Sequence, residues 1–405
     1  MPKGWELTKL RELVVQIKDP VKVVPQQTYK LLGVRWYGNG PFFRESVTSE
    51  TSKASRLYPV HVGDFIYNRL FAWKGSFGLI TAELEGCFVS GEFPLFRVNE
   101  ERLDPVFLNL IMCQPSKWSQ IEIESTGSTS VSRNRWKEEM FLEQELLVPP
   151  LPEQKRIVNL VSSVDSYIDA LQQQSELAGA ARNAVLHELL ADDGNDWTES
   201  SLGEIGLSGM FADGDWVESK DQDPSGEYRL LQLADVGDGV FLDKSNRWMN
   251  SEQFNRLRCT SLIPRDILIA RMPDPIARAC IFPSGLPTCA TVVDVAILRC
   301  GEGYVPEFVA LVINDSTFRA EAQSLLTGTT RQRISRSNLA KIVCKFPPLN
   351  EQKRIVDILS SMDEVIQSTE KAMNDANVLR SGLLSDLLTG SHVIPASYDS
   401  LLGAA

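Results

Sequence analysis

The stretch VPPLPEQKRIVNLVSSVD, beginning at Val148, returns as FPPLNEQKRIVDILSSMD, beginning at Phe346. Aligning Pro149 with Pro347 fixes an offset of 347 − 149 = 198 residues. Without a gap it also pairs Asp165 with Asp363, Arg182 with Arg380 and Leu189–Leu190 with Leu387–Leu388. An ungapped match of this length is what a rigid helix leaves behind, because one inserted residue would turn its apolar stripe by about 100°. The stripe is present. Ile157, Val161, Val164, Ile168, Leu171, Ala178, Val185 and Leu189 recur in steps dominated by three and four, as do Ile355, Leu359, Met362, Ile366, Thr369, Met373, Ala376, Leu383 and Leu387. Such steps are the mark of a coiled-coil seam. Pro152 and Asn350 stand where an N1 proline or an N-cap belongs, and Gly194 and Gly390 where each helix should stop. At 1.5 Å per residue each helix is a strut of about 60 Å. Two matched seams in one chain are expected to face one another antiparallel; the alternative is two amphipathic helices, each packed on its own domain.

The segments before each strut are also related. GWELTKLREL places Trp5 against Trp197 of DWTESSLGEI, VHVGDFIYNR matches LIPRDILIAR with Arg265 standing where Gly63 does, and STGSTSVSRNRWKEE matches LTGTTRQRISRSNLAK. The expected organisation is a domain over 1–150, a spacer helix over 151–194, a second domain over 195–348, a second spacer helix over 349–390 and a flexible tail over 391–405. The domains read as α/β (α+β). DILIAR, VVDVAILRC and CFVSGEFPLFRV are short β-rich runs, whereas PVFLNLIMCQPSKWSQIEIES and PEFVALVINDSTFRAEAQSLL carry helical spacing.

No apolar run approaches the roughly 18 residues of a membrane span, and the first residues lack the apolar core of a secretory signal. No membrane partner is expected, and the expected location is cytoplasmic. Seven cysteines without a CxxC pair and three scattered histidines do not have the clustering that zinc requires. The net charge of −12 gives the whole chain no basic footprint, so a polyanionic partner has to be sought locally.

Locally it is found. LLTGTTRQRISRSNLAKIVCK carries Arg331, Arg333 and Arg336 beside the hydroxyls of Thr329 and Thr330, with no acidic residue. Its counterpart offers Ser128, Thr129, Arg133 and Arg135, with Trp136 among them. Guanidinium forks and hydroxyls on a glycine-containing loop are the groups that hold phosphate oxygens and read base edges. Further candidates for DNA contact are Arg44, Lys53, Arg69 and Lys74 in the first domain and Lys220, Arg271 and Arg278 in the second. Nucleotide-binding GxxxxGK[ST], GxGxxG and GxSxG signatures are absent. The one nuclease-like hint is DGDWVESKD, where Asp213 or Asp215 precedes Glu218 and Lys220 and could hold Mg²⁺.

The two PPLxEQKRIV copies, the TGST and TGTT loops upstream of them, and the GDFIYNR and RDILIAR runs resemble the specificity subunit of type I restriction–modification systems over residues 4–390. The resemblance implies a non-catalytic subunit whose two target-recognition domains each bind one half of a bipartite site in double-stranded DNA. It further implies that the paired helices set the spacing and dock two copies of a methylation subunit, with a restriction subunit joining further out. The seam and partner residues would be Ile157, Val161, Val164 and Ile168 with Ile355, Leu359, Met362 and Ile366. S-adenosylmethionine, ATP and Mg²⁺ would then belong to partner subunits, with no cofactor or metal on this chain. The rival readings are a Mg²⁺-dependent nuclease and a coiled-coil scaffold without affinity for DNA.

Overall fold

A computed structural model describes residues 2–51, 54–125, 135–191, 196–329 and 331–402. The chain divides into two compact units, Met1–Gln172 with Lys371–Ala405, and Gln173–Glu370. The division falls inside two helices of 41 residues each, Leu151–Ala191 and Leu349–Thr389. Each long helix therefore gives one half to each unit.

The first unit is built on a four-stranded antiparallel sheet in the order Val14–Ile17, Leu95–Val98, Phe65–Tyr67, Phe77–Leu79. In the second unit the same order returns as Met210–Asp213, Val295–Arg299, Ile267–Ala270, Ala279–Ile281. Both units also pair an early strand with the one that leads into a long helix: Glu6–Lys9 with Glu145–Val148, and Thr198–Ser201 with Val343–Phe346. The repeat thus extends well beyond its visible motif. It fails in mid-domain, where the first unit adds a five-stranded mixed sheet and the second a three-stranded one. The cores differ as well. Phe65, Tyr67, Phe77, Phe96, Trp136 and Phe141 fill the first, while Ile267, Ile269, Ala296, Leu298 and Ile334 fill matching ground in the second. Aromatic packing in one and aliphatic packing in the other hides a common topology from residue-by-residue alignment.

Each stretch with helical spacing breaks in two. Pro105–Met112 and Pro115–Glu124 separate at Pro115, which disfavours helix at the residue before it, and Pro306–Asn314 and Ser316–Ser324 separate where Asp315 caps the second piece by accepting from Thr317 N at 2.8 Å. The long helices begin at Leu151 and Leu349, one residue before Pro152 and Asn350. Pro150 O accepts from Glu153 N at 2.8 Å and Pro348 O from Glu351 N at 2.9 Å, so Asn350 lies inside the helix rather than capping it. At the far end the second helix stops at Thr389, with Gly390 at φ +70° as its left-handed terminator. Gly194 lies outside the described residues.

Within the first unit, Ile157 and Val161 join a core that also takes in Leu384 and Leu387 from the second helix, with Leu383 and Leu388 partly buried against it. Within the second unit, Ile355 and Leu359 occupy the matching place, joined by Val185, Leu186, Leu189 and Leu190 from the first helix. Val164, Ile168, Met362 and Ile366 are half-buried. Asp165 binds Arg380 through both carboxylate oxygens in the first unit, and in the second Arg182 holds Asp363 at 2.6 and 3.0 Å. An advance from 165 to 182 on one helix is matched by a retreat from 380 to 363 on the other, so the helices pair antiparallel. Because the two bridges exchange under the 198-residue offset, the seam is isologous, the relation found at a two-fold dimer interface.

The segment after Gly390, expected to be flexible, is pinned to the first unit at three residues. Ile394 is buried, Tyr398 lies on the first unit's core, and Asp399 takes Arg156 in a two-bond ion pair at 2.7 Å for each bond. The matching arginine, Arg354, binds Glu351 one turn back on its own helix.

Arg265 keeps the turn that Gly63 makes. Gly63 has φ +83° and Arg265 φ +74°, and their amides donate to Ile80 O and Phe282 O, each at 2.9 Å. Left-handed backbone costs an L side chain about 1 kcal/mol. Open space surrounds the Cβ position of Gly63, so Gly63→Ala should lower the first unit's stability by about 1 kcal/mol through the backbone alone. Arg265→Gly should recover a similar amount in the second, less the small contribution of its solvent-exposed pair with Glu307. Urea midpoints of the two variants moving in opposite directions would bear this out; both falling would not.

Candidate nucleic-acid interface

Both units tie a basic loop to the end of a central strand. In the second unit Ile334 N donates to Arg271 O at 3.0 Å, and in the first Trp136 N donates to Arg69 O at 3.0 Å. Thr327 and Arg333 then close a small turn by exchanging backbone hydrogen bonds of 3.0 and 2.9 Å, with Gly328 at φ +95° inside it. At the turn, Thr329 and Arg331 are exposed, and Arg331 makes no ion pair among the described residues. Ser128, Thr129 and Arg133 of the matching loop, with Lys53 and Thr330, lie outside the described residues.

The other candidates are more committed. Arg135 forks onto Glu92 at 3.2 and 2.9 Å, and its mate Arg333 pairs with Asp294 at 3.1 Å and donates to Val293 O. Arg69 is half-buried against Glu138, while Arg271 is buried. Arg271 Nε donates to Ile334 O at 3.0 Å, and its guanidinium also meets Asp213 and Val293 O. Desolvation lowers the Arg271 pKa, with Asp213 as the main opposing influence. Arg336 shares Asp213 at 3.2 Å and reaches Phe211 O. Arg278 spreads over five backbone carbonyls, from Val236 O at 2.7 Å to Asp274 O at 3.4 Å. Lys220 sits on Glu218 at 2.7 Å and Arg44 on Glu45 at 2.8 Å. Arg271 and Arg278 therefore anchor the loops rather than offering donors outward, and Trp136, read as part of the basic loop, is fully buried with its indole N–H on Glu124 at 3.1 Å. Lys74 alone among these cations stands over a ring, its Nζ 3.8 Å from the Trp36 centroid.

The acidic stretch around Asp213 is likewise occupied. Asp213 serves Arg271 and Arg336, Asp215 accepts from Thr260 N at 2.9 Å, and Asp221 holds Arg256. Burial pushes the Asp215 pKa up, whereas the Arg256 hydrogen bond pulls that of Asp221 down. These carboxylates face separate partners and do not converge on one point where a metal-bound water could be oriented.

Two buried groups escaped sequence reasoning. Gln154 is completely buried; its Oε1 accepts from Asp104 N at 2.7 Å, and its Nε2 donates to Arg102 O at 2.9 Å and Pro149 O at 2.8 Å. Gln352 repeats this with Val305 N, Gly303 O and Pro347 O at 2.8, 3.1 and 2.9 Å. Asp64 accepts two bonds from Arg97 and caps His61 N, as Asp266 does with Arg299 and Ile263 N. Both pairs recur at equivalent places in the repeat. That recurrence was the signal, and only the environment reveals the role.

Among known proteins, the model of the type I restriction modification DNA specificity domain matches residues 2–178 and 305–376. The type I restriction enzyme MjaVIII specificity subunit of Methanocaldococcus jannaschii is 23% identical over 96% of this chain and 93% of its own length. The HsdS subunit from Thermoanaerobacter tengcongensis superposes with a TM-score of 0.53 at 18% identity, over 97% of this chain and 98% of that one. A chain from a structural study of complex assembly and conformational transition in the type I R-M system gives 0.62 at 17% identity, over 96% and 98%.

Proposed function

The chain belongs to the family of type I restriction–modification DNA specificity subunits, and from that premise we propose that each unit reads one half of a bipartite duplex site while the paired helices fix the separation. The observation that carries this reading is the isologous seam, in which Asp165–Arg380 and Arg182–Asp363 exchange under the repeat offset. A two-fold frame carrying two divergent domains suits a site with two unlike halves. One half-site discriminates poorly, since each wrong base pair costs about 1–3 kcal/mol; two halves roughly add.

The reading places the methyl donor S-adenosylmethionine, ATP and Mg²⁺ on partner subunits. Type I R-M complex assembly is the subject of the superposing structure, and the long helices leave apolar side chains exposed. Tyr167 and its repeat mate Val365 are 56% and 50% exposed, a matched pair that suits two copies of one methylation subunit. A restriction subunit would join that assembly.

Mapping methylated bases in the host genome by long-read sequencing tests the proposal. A split motif lost on deletion of this gene is the expected result, and an unchanged methylome would refute it. Within the mapped site, Arg331→Ala should weaken binding by about 1–3 kcal/mol for the correct second half-site, and leave discrimination in the first intact. Competition assays that find equal weakening on every sequence would assign Arg331 to phosphate instead.

A further inference from the structure

We propose that the hairpin tip RWYGNGPFFR, residues 35–44, is an aromatic wedge that stacks on a base of the half-site read by the first unit; this rests on the DNA-reading function above. The tip joins the strands Tyr29–Val34 and Pro41–Val47 of the five-stranded sheet. Four aromatic residues and two arginines occur in its ten positions with no acid, within a chain of net charge −12.

Trp36 is 40% exposed, Tyr37 62% and Phe43 50%, so large rings are left in water. The nearby cations heighten the contrast with the rest of the unit. Lys74 Nζ lies 3.8 Å from the Trp36 centroid and the Arg35 guanidinium 4.4 Å from that of Phe42, and neither joins a carboxylate among the described residues. A cation over a ring keeps its charge available, whereas one on a carboxylate is neutralised. Exposed rings beside uncompensated positive charge match a polyanion that also presents flat π-faces, which is the composition of single-strand and wedge-type nucleic-acid contacts.

The tip is also held rigidly. Tyr37 N donates to Lys74 O at 2.7 Å and Gly38 N to Gly75 O at 2.8 Å. Gly38 and Gly75 have φ of +72° and +70°, and a Cβ on Gly75 would meet the Trp118 ring at 2.3 Å. Tyr37 itself is left-handed at φ +59°, a conformation that rings seldom adopt and that tends to persist where surrounding structure and function hold it. The second unit has a three-stranded sheet, Trp248–Met249, Tyr228–Leu231 and Cys289–Thr291, in place of this hairpin's sheet, so the wedge is expected to act on the first half-site alone.

The test uses the full chain with its methylation partner on duplexes of the genome-mapped site, carrying 2-aminopurine at successive positions of the first half. The unaltered assembly should change the fluorescence at one position. Trp36→Ala or Tyr37→Ala should abolish that change and lower affinity about tenfold, the loss of one base–aromatic stack, while Trp36→Phe retains most of both. Discrimination in the second half-site should stay at the level of the unaltered chain. If no position responds in the unaltered assembly although it binds the duplex, the wedge is wrong; this arm needs no variant to fold. If the alanine variants bind DNA normally but lose the methylation partner, the tip is a protein contact and the proposal fails. If the unaltered assembly retains no duplex at all, the DNA-reading function itself falls, a separate result.

Discussion

Residues 1–194 expressed alone should form a symmetric dimer and, with the methylation partner, direct methylation to a palindromic split site. The argument is one of substitution. In the first unit, Leu383, Leu384, Leu387 and Leu388 of the second long helix pack on the core around Ile157 and Val161. Their repeat mates Val185, Leu186, Leu189 and Leu190 are carried by the fragment itself and already perform this task in the second unit. A second fragment can therefore supply the missing half of the seam with four side chains of nearly the same volume, a change that cores tolerate well. The charge pair transfers too. Asp165 of one fragment would meet Arg182 of the other, twice, because Arg182 is the mate of Arg380. Sedimentation at micromolar concentration should give the dimer mass. Asp165→Arg should weaken the dimer and the combined exchange Asp165→Arg, Arg182→Asp should restore it; a monomeric fragment would refute the symmetric seam.

Gln154→Met should destabilise the first unit by about 2–4 kcal/mol, although methionine nearly matches glutamine in shape. The buried amide satisfies Asp104 N, Arg102 O and Pro149 O at once. Removing it leaves Pro149 O buried and Asp104 N and Arg102 O part-buried without a partner; an unpaired group costs about 1–3 kcal/mol when buried and less where water reaches it. Gln352→Met should do the same to the second unit through Val305 N, Gly303 O and Pro347 O. Lys155→Met, at the exposed neighbouring position, should shift stability by no more than about 0.5 kcal/mol. Urea unfolding followed by circular dichroism separates these outcomes, and equal effects at 154 and 155 would contradict the bonding described.

The duplication and the helices were legible because helical periodicity tolerates no insertion, and identity survives where two surfaces meet copies of one another. The shared sheet order was less legible. Tyr67 faces the task of Ile269, and Trp136 that of Ile334, so the cores are filled by different shapes on one topology. Arginine content singles out the basic loops, but it could not separate anchoring from presentation. Arg271 and Arg278 are absorbed by Asp213 and by backbone carbonyls, pairings that depend on contacts as distant as Arg271 with Ile334. Gln154 and Gln352 stood inside the most visible motif, yet a buried amide and a solvated one look alike in a string of letters. The aromatic tip at 35–44 is visible in composition, but it has no counterpart in the second half, so the repeat gives it no emphasis.

The capture of Arg156 by Asp399 ties the segment beyond the second long helix to the start of the first, 243 residues away in sequence. In this chain the unit begun first is completed last, by residues that reach it only after the second unit has been passed.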